Sequence, residues 1–381
     1  MSDILCICTM NNNRTISQFF SLLRAGLWNS TIDETIFEDV VDWKKILQLS
    51  HSQTVAPIVF DGIQGLVNTR CEKRALMEWI SITQKIESRN NQLNKRLGYF
   101  VNTYRKVGLD PVVIKGQCIA KYYNNPRHRQ PGDIDFYFSN GYEISNEIVA
   151  KLPNARESEA TTYHKAFNIG GISIENHLRF VDFYSHKNKK TWDNVLGLLE
   201  NNMYEIVKIE ILDGEEIEVK TFSPQLNSIY LFLHLQHHLL QTGIGMRQVC
   251  DWACLWYAKE KKIDKELFLK VVDMLPIRRS MTALAWIVEN YLGLPKGIIP
   301  LDTTSKQACK DGAFLLEDIM SGGNFGKDFG FMDGFKRNNH LNNIRTYISA
   351  LKRMIKLRRL CPSEVDAYII YYFKERLLKG N

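Results

Sequence analysis

Long apolar runs are missing from this chain of 381 residues. The most apolar helix-length stretch, Ile229 to Leu240, is interrupted by Gln236 and three histidines. It falls well short of the ~18 apolar residues of a membrane span. The N-terminus lacks a basic segment leading into an apolar run. Ile4-Leu5-Cys6-Ile7 is too short and Asn11-Asn12-Asn13 comes soon after it, so no secretion signal is expected. Cysteine is also scarce: eight residues, with no CxxC pair. That excludes a disulfide scaffold and reads as reduced thiols in a cytoplasmic protein. Cys6-x-Cys8 supplies at most half of a zinc site. What remains is an ordinary globular balance, 45% hydrophobic and 24% charged, with ample material for a core and no sign of a disordered or fibrous chain.

The formal net charge of +7 is unevenly placed. From Lys336 onward eleven Lys and Arg face three Asp and Glu, so this piece carries the positive excess and the remainder is close to neutral. In its centre Ile344, Tyr347, Ile348, Leu351, Met354 and Ile355 fall on one helical stripe. The basic residues between them are a solvated face or a wall turned toward a polyanion. Nucleic acid is a conceivable partner but is not indicated, because few aromatics accompany the charges.

Hydrophobic periodicity divides the chain into three parts. Residues 1–108 read as helices. The clearest runs from about Lys85 to Val107, where Leu93, Leu97, Phe100, Tyr104 and Val107 step by four and three, and Gly108 stops it. Residues 109–223 change pattern. Val112-Val113-Ile114 is a short buried strand, Lys115-Gly116 a turn, and Gln117 to Tyr123 one or two helical turns. Ile134, Phe136 and Phe138 then alternate with Asp133, Asp135 and Tyr137 in a second strand. Two hairpins follow, turned by Gly170-Gly171 and Asp213-Gly214, dipeptides that tolerate positive φ. Residues 224–381 return to helices, near 224–241, 247–260, 264–274, 278–292 and 306–320. Ser223-Pro224 makes an N-terminal signal. Gly322 to Gly334 holds five glycines and reads as a loop, and Ser363 is a candidate cap for the last helix. The fold class is therefore α+β: a small mixed sheet with helical regions before and after, the final helices basic.

Asp133-Ile134-Asp135 is the sharpest chemical feature. Side chains two apart on a strand share a face, which puts the two Cα atoms roughly 6–7 Å apart. Two such carboxylates repel each other, and a divalent cation reverses that penalty. The context is ordered: strand, Lys115-Gly116, short helix, then a strand opening on the acids. Gly116 allows close backbone approach and a helix start offers N–H groups to phosphate. Lys115 and Arg129 are placed to flank a triphosphate, unless Lys115 is only a strand-end charge. In Ile172-Ser173-Ile174-Glu175-Asn176-His177 the isoleucines face the core, so Ser173, Glu175 and His177 face the other way together. Glu175 is then a third acid, a metal ligand or base, or else an exposed-face charge. His234 and His238, spaced i,i+4, could chelate a metal, but no third ligand is evident and a packed helix face is the plainer reading. Arg247 and Asp251 have the same spacing. They are an intrahelical ion pair or they orient a nucleotide.

The stretch from Val112 to Asp135, with its lysine–glycine turn, its helix bearing Ala120, Tyr122 and Tyr123, and Arg129 before Gly132-Asp133-Ile134-Asp135, resembles a bacterial nucleotidyltransferase-like family. That family belongs to the polymerase-β-like superfamily. Ile174-Glu175-Asn176-His177-Leu178-Arg179 is similar to its acidic-x-His strand, and Met246 to Asp251 to its downstream arginine-plus-aspartate helix. Trp43 and the Ala56-Pro57 segment look like its leading helices. Gly116 is followed by Gln117, where the wider superfamily has serine. The resemblance implies a transferase with two Mg²⁺ ions held by Asp133, Asp135 and Glu175. The donor is an NTP steadied by Lys115, Gly116, Gln117, Arg129 and Arg247, with His177 and Asp251 in support. The NMP passes to an acceptor hydroxyl, on a protein, a small molecule or an RNA end. Two other readings stay open: a glycosyltransferase holding a nucleotide sugar through the Asp-x-Asp pair, and a non-catalytic antitoxin or scaffold.

Overall fold

β-strand order is the fact from which the rest of the architecture follows. In the computed structural model, which describes residues 14–161, 163–212, 214–323 and 351–378, seven strands form one sheet in the order β3-β4-β5-β2-β1-β7-β6. These are β1 (Val112–Ile114), β2 (Ile134–Tyr137), β3 (Arg156–Ala160), β4 (His164–Ile169), β5 (Ile172–His177), β6 (Tyr204–Leu212) and β7 (Glu215–Phe222). β2 lies antiparallel to β1 and parallel to β5, and β1 is parallel to β7. The hairpins β4–β5 and β6–β7 close the two flanks as their turn dipeptides predict. The sheet is mixed and flanked by helices, in agreement with the α+β expectation.

Among the described residues four α-helices precede the sheet: α1 (Arg14–Trp28), α2 (Trp43–Ser52), α3 (Ala56–Gln64) and α4 (Lys73–Lys106). α4 begins at Lys73 rather than near Lys85, because Ala75, Trp79 and Thr83 extend its buried stripe at a four-residue step. α1 and α3 touch backbone to backbone. A Cβ on Gly26 would lie 1.8 Å from the Ile58 carbonyl oxygen, so only glycine fits there. Within the core unit come α5 (Gly116–Ala120), α6 (Tyr142–Ala150) and α7 (His186–Leu199). After it come α8 (Pro224–Gln241), α9 (Met246–Lys259), α10 (Lys265–Met274), α11 (Arg278–Asn290), α12 (Lys306–Gly322) and α13 (Pro362–Leu378). Ser223 caps α8 as expected, its hydroxyl accepting from the Leu226 N–H. Ser363 does not cap α13, which already starts at Pro362. Its hydroxyl instead accepts from Asn188.

The two faces of the sheet have different covers. Ile134, Phe136, Phe138, Ile172 and Ile174 pack with Leu93, Leu97, Phe100 and Tyr104 of α4. Val112, Ile114 and Phe222 point the other way, into a second cluster that contains Leu226, Ile229 and Tyr230 of α8 together with the flanking helices. Asp135 has the opposite parity to Ile134 and Phe136, so it points to the α8 side. Several sequence expectations fall outside the described residues: Cys6 and Cys8, most of the Gly322–Gly334 loop, and Ile344, Tyr347 and Ile348 of the basic helix. Of the remaining stripe, Met354 is buried but Ile355 is exposed, and Leu357 takes the core position instead. The described cysteines are all free thiols. Among the described residues no helix is long and apolar enough to cross a membrane.

Candidate active site

Lys115 sits where β1 ends and α5 begins, at φ 58° and ψ −145°. Its ammonium lies 2.9 Å from Asp135 Oδ1 and 3.4 Å from His234 Nε2 on α8. Gly116 follows at φ +42°, so the chain turns sharply here through two left-handed residues. α5 has only five residues, too short for its dipole to contribute much. Gln117, its second residue, is buried.

Asp133 stands immediately before β2, and Asp135 is inside it and almost fully buried. β5 runs parallel to β2 with Glu175 registered on Asp135 and His177 on Tyr137. The alternation on β5 is as expected: Ile172, Ile174 and Asn176 are buried, and Ser173, Glu175 and His177 take the other face. His177 Nε2 lies 2.9 Å from Asp135 Oδ1 and 3.5 Å from Glu175 Oε2. His164 of β4 stacks on the His177 ring, centroid to centroid 5.4 Å.

The electrostatics are unbalanced. Burial pushes the Asp135 carboxyl up, but Lys115 and His177 outweigh it and hold that group below the usual carboxylate range. Burial likewise works against the Glu175 charge, and the hydrogen bond with His177 lowers its pKa. Asp133 has no such partner. Burial first, then the charges of Asp135 and Glu175, push its carboxyl up to about 7. Lys115 and His177 thus pair closely with Asp135 and Glu175, while Asp133 has no hydrogen-bonded cation among the described residues and is felt only through space by Arg247 and Arg129. His177 is itself raised: burial would lower it, and its hydrogen bonds to Asp135 and Glu175 overturn that. On the α8 side, burial and the Lys115 charge drive His234 well below the ordinary imidazole range, and burial holds His238 at about 3. These two rings meet at 3.1 Å through their Nε2 atoms, a packed pair beside Lys115.

A second charged network borders the first. Arg129 donates through Nε and Nη2 to both oxygens of Asp251, at 2.7 and 2.8 Å. The Tyr123 hydroxyl donates to the same Asp251 at 2.6 Å. Arg247 and Asp251 thus do not form the intrahelical pair that their spacing suggested. Asp251 belongs to Arg129, and Arg247 donates to the Gln130 carbonyl at 2.9 Å. The Arg247 Nε is buried without a hydrogen-bond partner among the described residues. The loop carrying Arg129 is pinned from the N-terminal helices. Asn90 Nδ2 donates to the carbonyls of Arg127 and Arg129, and His128 is held between Asp61 at 2.8 Å and Glu87 at 3.1 Å. Sequence reasoning missed this clamp and the seat of His234 against Lys115, because the partners lie far apart along the chain.

The model of a protein family described as an uncharacterised nucleotidyltransferase matches residues 39–293. The chain belongs to this family. No curated protein and no solved structure matches it. Membership in a nucleotidyltransferase family gives the coarse activity, transfer of a nucleotidyl group from an NTP. The matched region contains the acidic cluster, the pinned loop and Arg247. It also supplies a test of the donor set: oxygen ligands are what hard divalent cations take beside phosphate, and here ligand atoms of Asp135, Glu175 and His177 lie within 4.8 Å of one another. Asp133 lies outside that group of three, close enough for Asp135 and Glu175 to raise its carboxyl. A divalent cation is chemically suited to this site.

Proposed function

We propose that this chain is a magnesium-dependent nucleotidyltransferase that transfers NMP from an NTP to an acceptor hydroxyl. The observation that carries the reading is the group of Asp135, Glu175 and His177 on the interior strands, whose ligand atoms lie within 4.8 Å of one another, with the raised carboxyl of Asp133 beside it. Asp133, Asp135 and Glu175 are the residues that would hold two Mg²⁺ ions, with His177 orienting Asp135 and Glu175. Bound there, the ions would neutralise phosphate charge and favour the alkoxide form of the acceptor.

The chain's own residues do the positioning. Lys115, Gly116 and Gln117 form the turn beside the acids and steady the triphosphate. Arg247 has an unused Nε and a single carbonyl partner, so it can turn a donor toward a phosphate oxygen. Arg129 has both edges of its guanidinium on Asp251 and acts by fixing the loop that delivers Asp133. The acceptor oxygen bonds to the α-phosphorus as the bond to pyrophosphate breaks, and the hydroxyl proton is released.

The test needs no acceptor. The melting temperature of the purified protein is followed with ATP, GTP, CTP, UTP and a nucleotide sugar, with and without Mg²⁺. A ligand at about 100 times its dissociation constant adds roughly 2.7 kcal/mol, a shift of a few degrees. A Mg²⁺-dependent shift with an NTP, absent in Asp133→Ala/Asp135→Ala, is expected. A shift with the nucleotide sugar alone would replace the reading by glycosyl transfer.

A further inference from the structure

Lys115 is a lysine in a place that suits glycine. Its φ of 58° with ψ of −145° belongs to backbone that side chains seldom adopt. Of the four described non-glycine residues with positive φ, two are asparagines, which tolerate it; Lys115 and Thr54 are the others. Strain of this kind persists where the surroundings impose it, typically at a functional site. The side chain that it places there does one visible thing: its ammonium is seated on Asp135 Oδ1 at 2.9 Å.

That oxygen is shared. His177 Nε2 reaches the same Oδ1 at 2.9 Å, so two donors occupy the two lone pairs that a carboxylate oxygen offers. A cation that takes this oxygen as a ligand must displace one of them. His177 is the fixed donor: it is set by the β5 register, stacked on His164, and 3.5 Å from Glu175. Lys115 is the movable one, a point charge on a four-carbon stem. The nearby His234 Nε2 is an imidazole kept uncharged by burial and offers no anion in exchange, and the two further carboxylates that act on Lys115, Asp133 and Glu175, are ligands of the same cation in the reading above. A displaced ammonium in this buried setting therefore needs a new anion, and a triphosphate delivered beside Gly116 supplies one.

We propose that Lys115 is a resident counter-ion that couples divalent-cation binding to triphosphate binding at Asp135. Its ammonium leaves the carboxylate for the phosphate as the metal arrives. Each ligand then raises the affinity of the other by the same factor, as linkage requires. The inference rests on the nucleotidyltransferase reading above and adds the order in which that site fills.

Isothermal titration calorimetry on the full chain tests it, with Mn²⁺ as the metal and the α,β-methylene analogues of ATP, GTP, CTP and UTP as uncleavable nucleotides. In the natural protein, metal alone should bind weakly, and Mn²⁺ should tighten the preferred analogue roughly tenfold or more, within the usual range of such couplings. In Lys115→Met, metal alone should bind more tightly than in the natural protein, and the coupling factor should fall toward one. Lys115→Arg, which keeps a cation, should retain the coupling. Lys115→Gly, which relaxes the backbone, repeats the Met result should Lys115→Met fail to fold. Equal or weaker Mn²⁺ binding by the folded Met and Gly variants, with metal binding still lost in Asp133→Ala/Asp135→Ala, overturns the counter-ion role and leaves the transferase reading standing. Absence of Mn²⁺ binding by every protein, with or without analogue, overturns both.

Discussion

Two buried charge networks lie side by side, and they are built on opposite principles. In one, Arg129 closes both oxygens of Asp251 with two parallel hydrogen bonds, and the Tyr123 hydroxyl adds a third. Arg129 and Asp251 answer each other there in charge and in shape, while Arg247 beside them has only the Gln130 carbonyl. In the other, Asp133, Asp135 and Glu175 share Lys115 and His177, and the remainder appears as the raised carboxyl of Asp133. Both are within the family-matched region. A satisfied network holds structure in place. A network that leaves one carboxyl without a hydrogen-bonded cation keeps an affinity in reserve for something outside the chain.

Changes at the two networks should therefore have different signatures. The largest effect is expected for Asp135→Asn: transfer falls by at least about 10³-fold, since losing a metal-binding carboxylate removes on the order of 4 kcal/mol from the reaction barrier's stabilisation. Circular dichroism should be unchanged. A variant that folds and still transfers would remove Asp135 from the metal site. Next comes Arg129→Ala, which strands Asp251 in a buried place. A loss of about 3–5 kcal/mol in unfolding free energy is expected from denaturant titration. A loss below 1 kcal/mol would mean that the pair is not the anchor its geometry suggests.

Smaller and opposite in sign is Asp133→Asn without metal at pH 8. Removing the excess charge should raise stability, on the order of 1 kcal/mol, while activity is lost, the usual trade at a working site. Destabilisation would show that Asp133 is better compensated than Lys115 and His177 imply. The smallest effect concerns the loop clamp. Burial would lower the His128 pKa, but Asp61 and Glu87 overturn that and raise it. Its contribution is then complete below the unfolded value of about 6.5 and lost as pH rises through the higher folded value. Natural protein should lose a little stability across that window, and His128→Gln should not. A parallel pair of stability–pH curves would show that the clamp does not depend on the imidazolium.

The same contrast explains what could be read from the amino-acid sequence. The strand positions of Asp135, Glu175 and His177 were legible from period-two alternation, and Asp133 falls one residue before β2. The match to a family over residues 39–293 agrees with the resemblance seen in those motifs. The helices after residue 223 were legible from their spacing. β3 was not: Arg156–Ala160 is exposed along its whole length, so no apolar alternation marks it. α6 starts from a glycine with no side-chain cap, which leaves little for sequence to show. The pairings were hidden for a different reason. Arg129 and Asp251 are 122 residues apart, and Lys115 and His234 are 119 apart. The local i,i+4 spacing of Arg247 and Asp251 suggested a pair that the tertiary fold replaces. A spacing rule identifies neighbours on one helix, and it is blind to a better partner arriving from a loop.

The strand order has a further consequence, for the way the molecule comes apart. β2 and β5 are interior strands, shielded on one side by β3 and β4 and on the other by β1, β7 and β6. Fraying begins at sheet margins, where backbone amides face water. The amides of residues 134–137 should accordingly be among the slowest in the protein to exchange with deuterium, and those of residues 156–160 among the fastest. Breathing of the outer strands would then leave the carboxylate cluster assembled, and its geometry would be surrendered only with the fold as a whole.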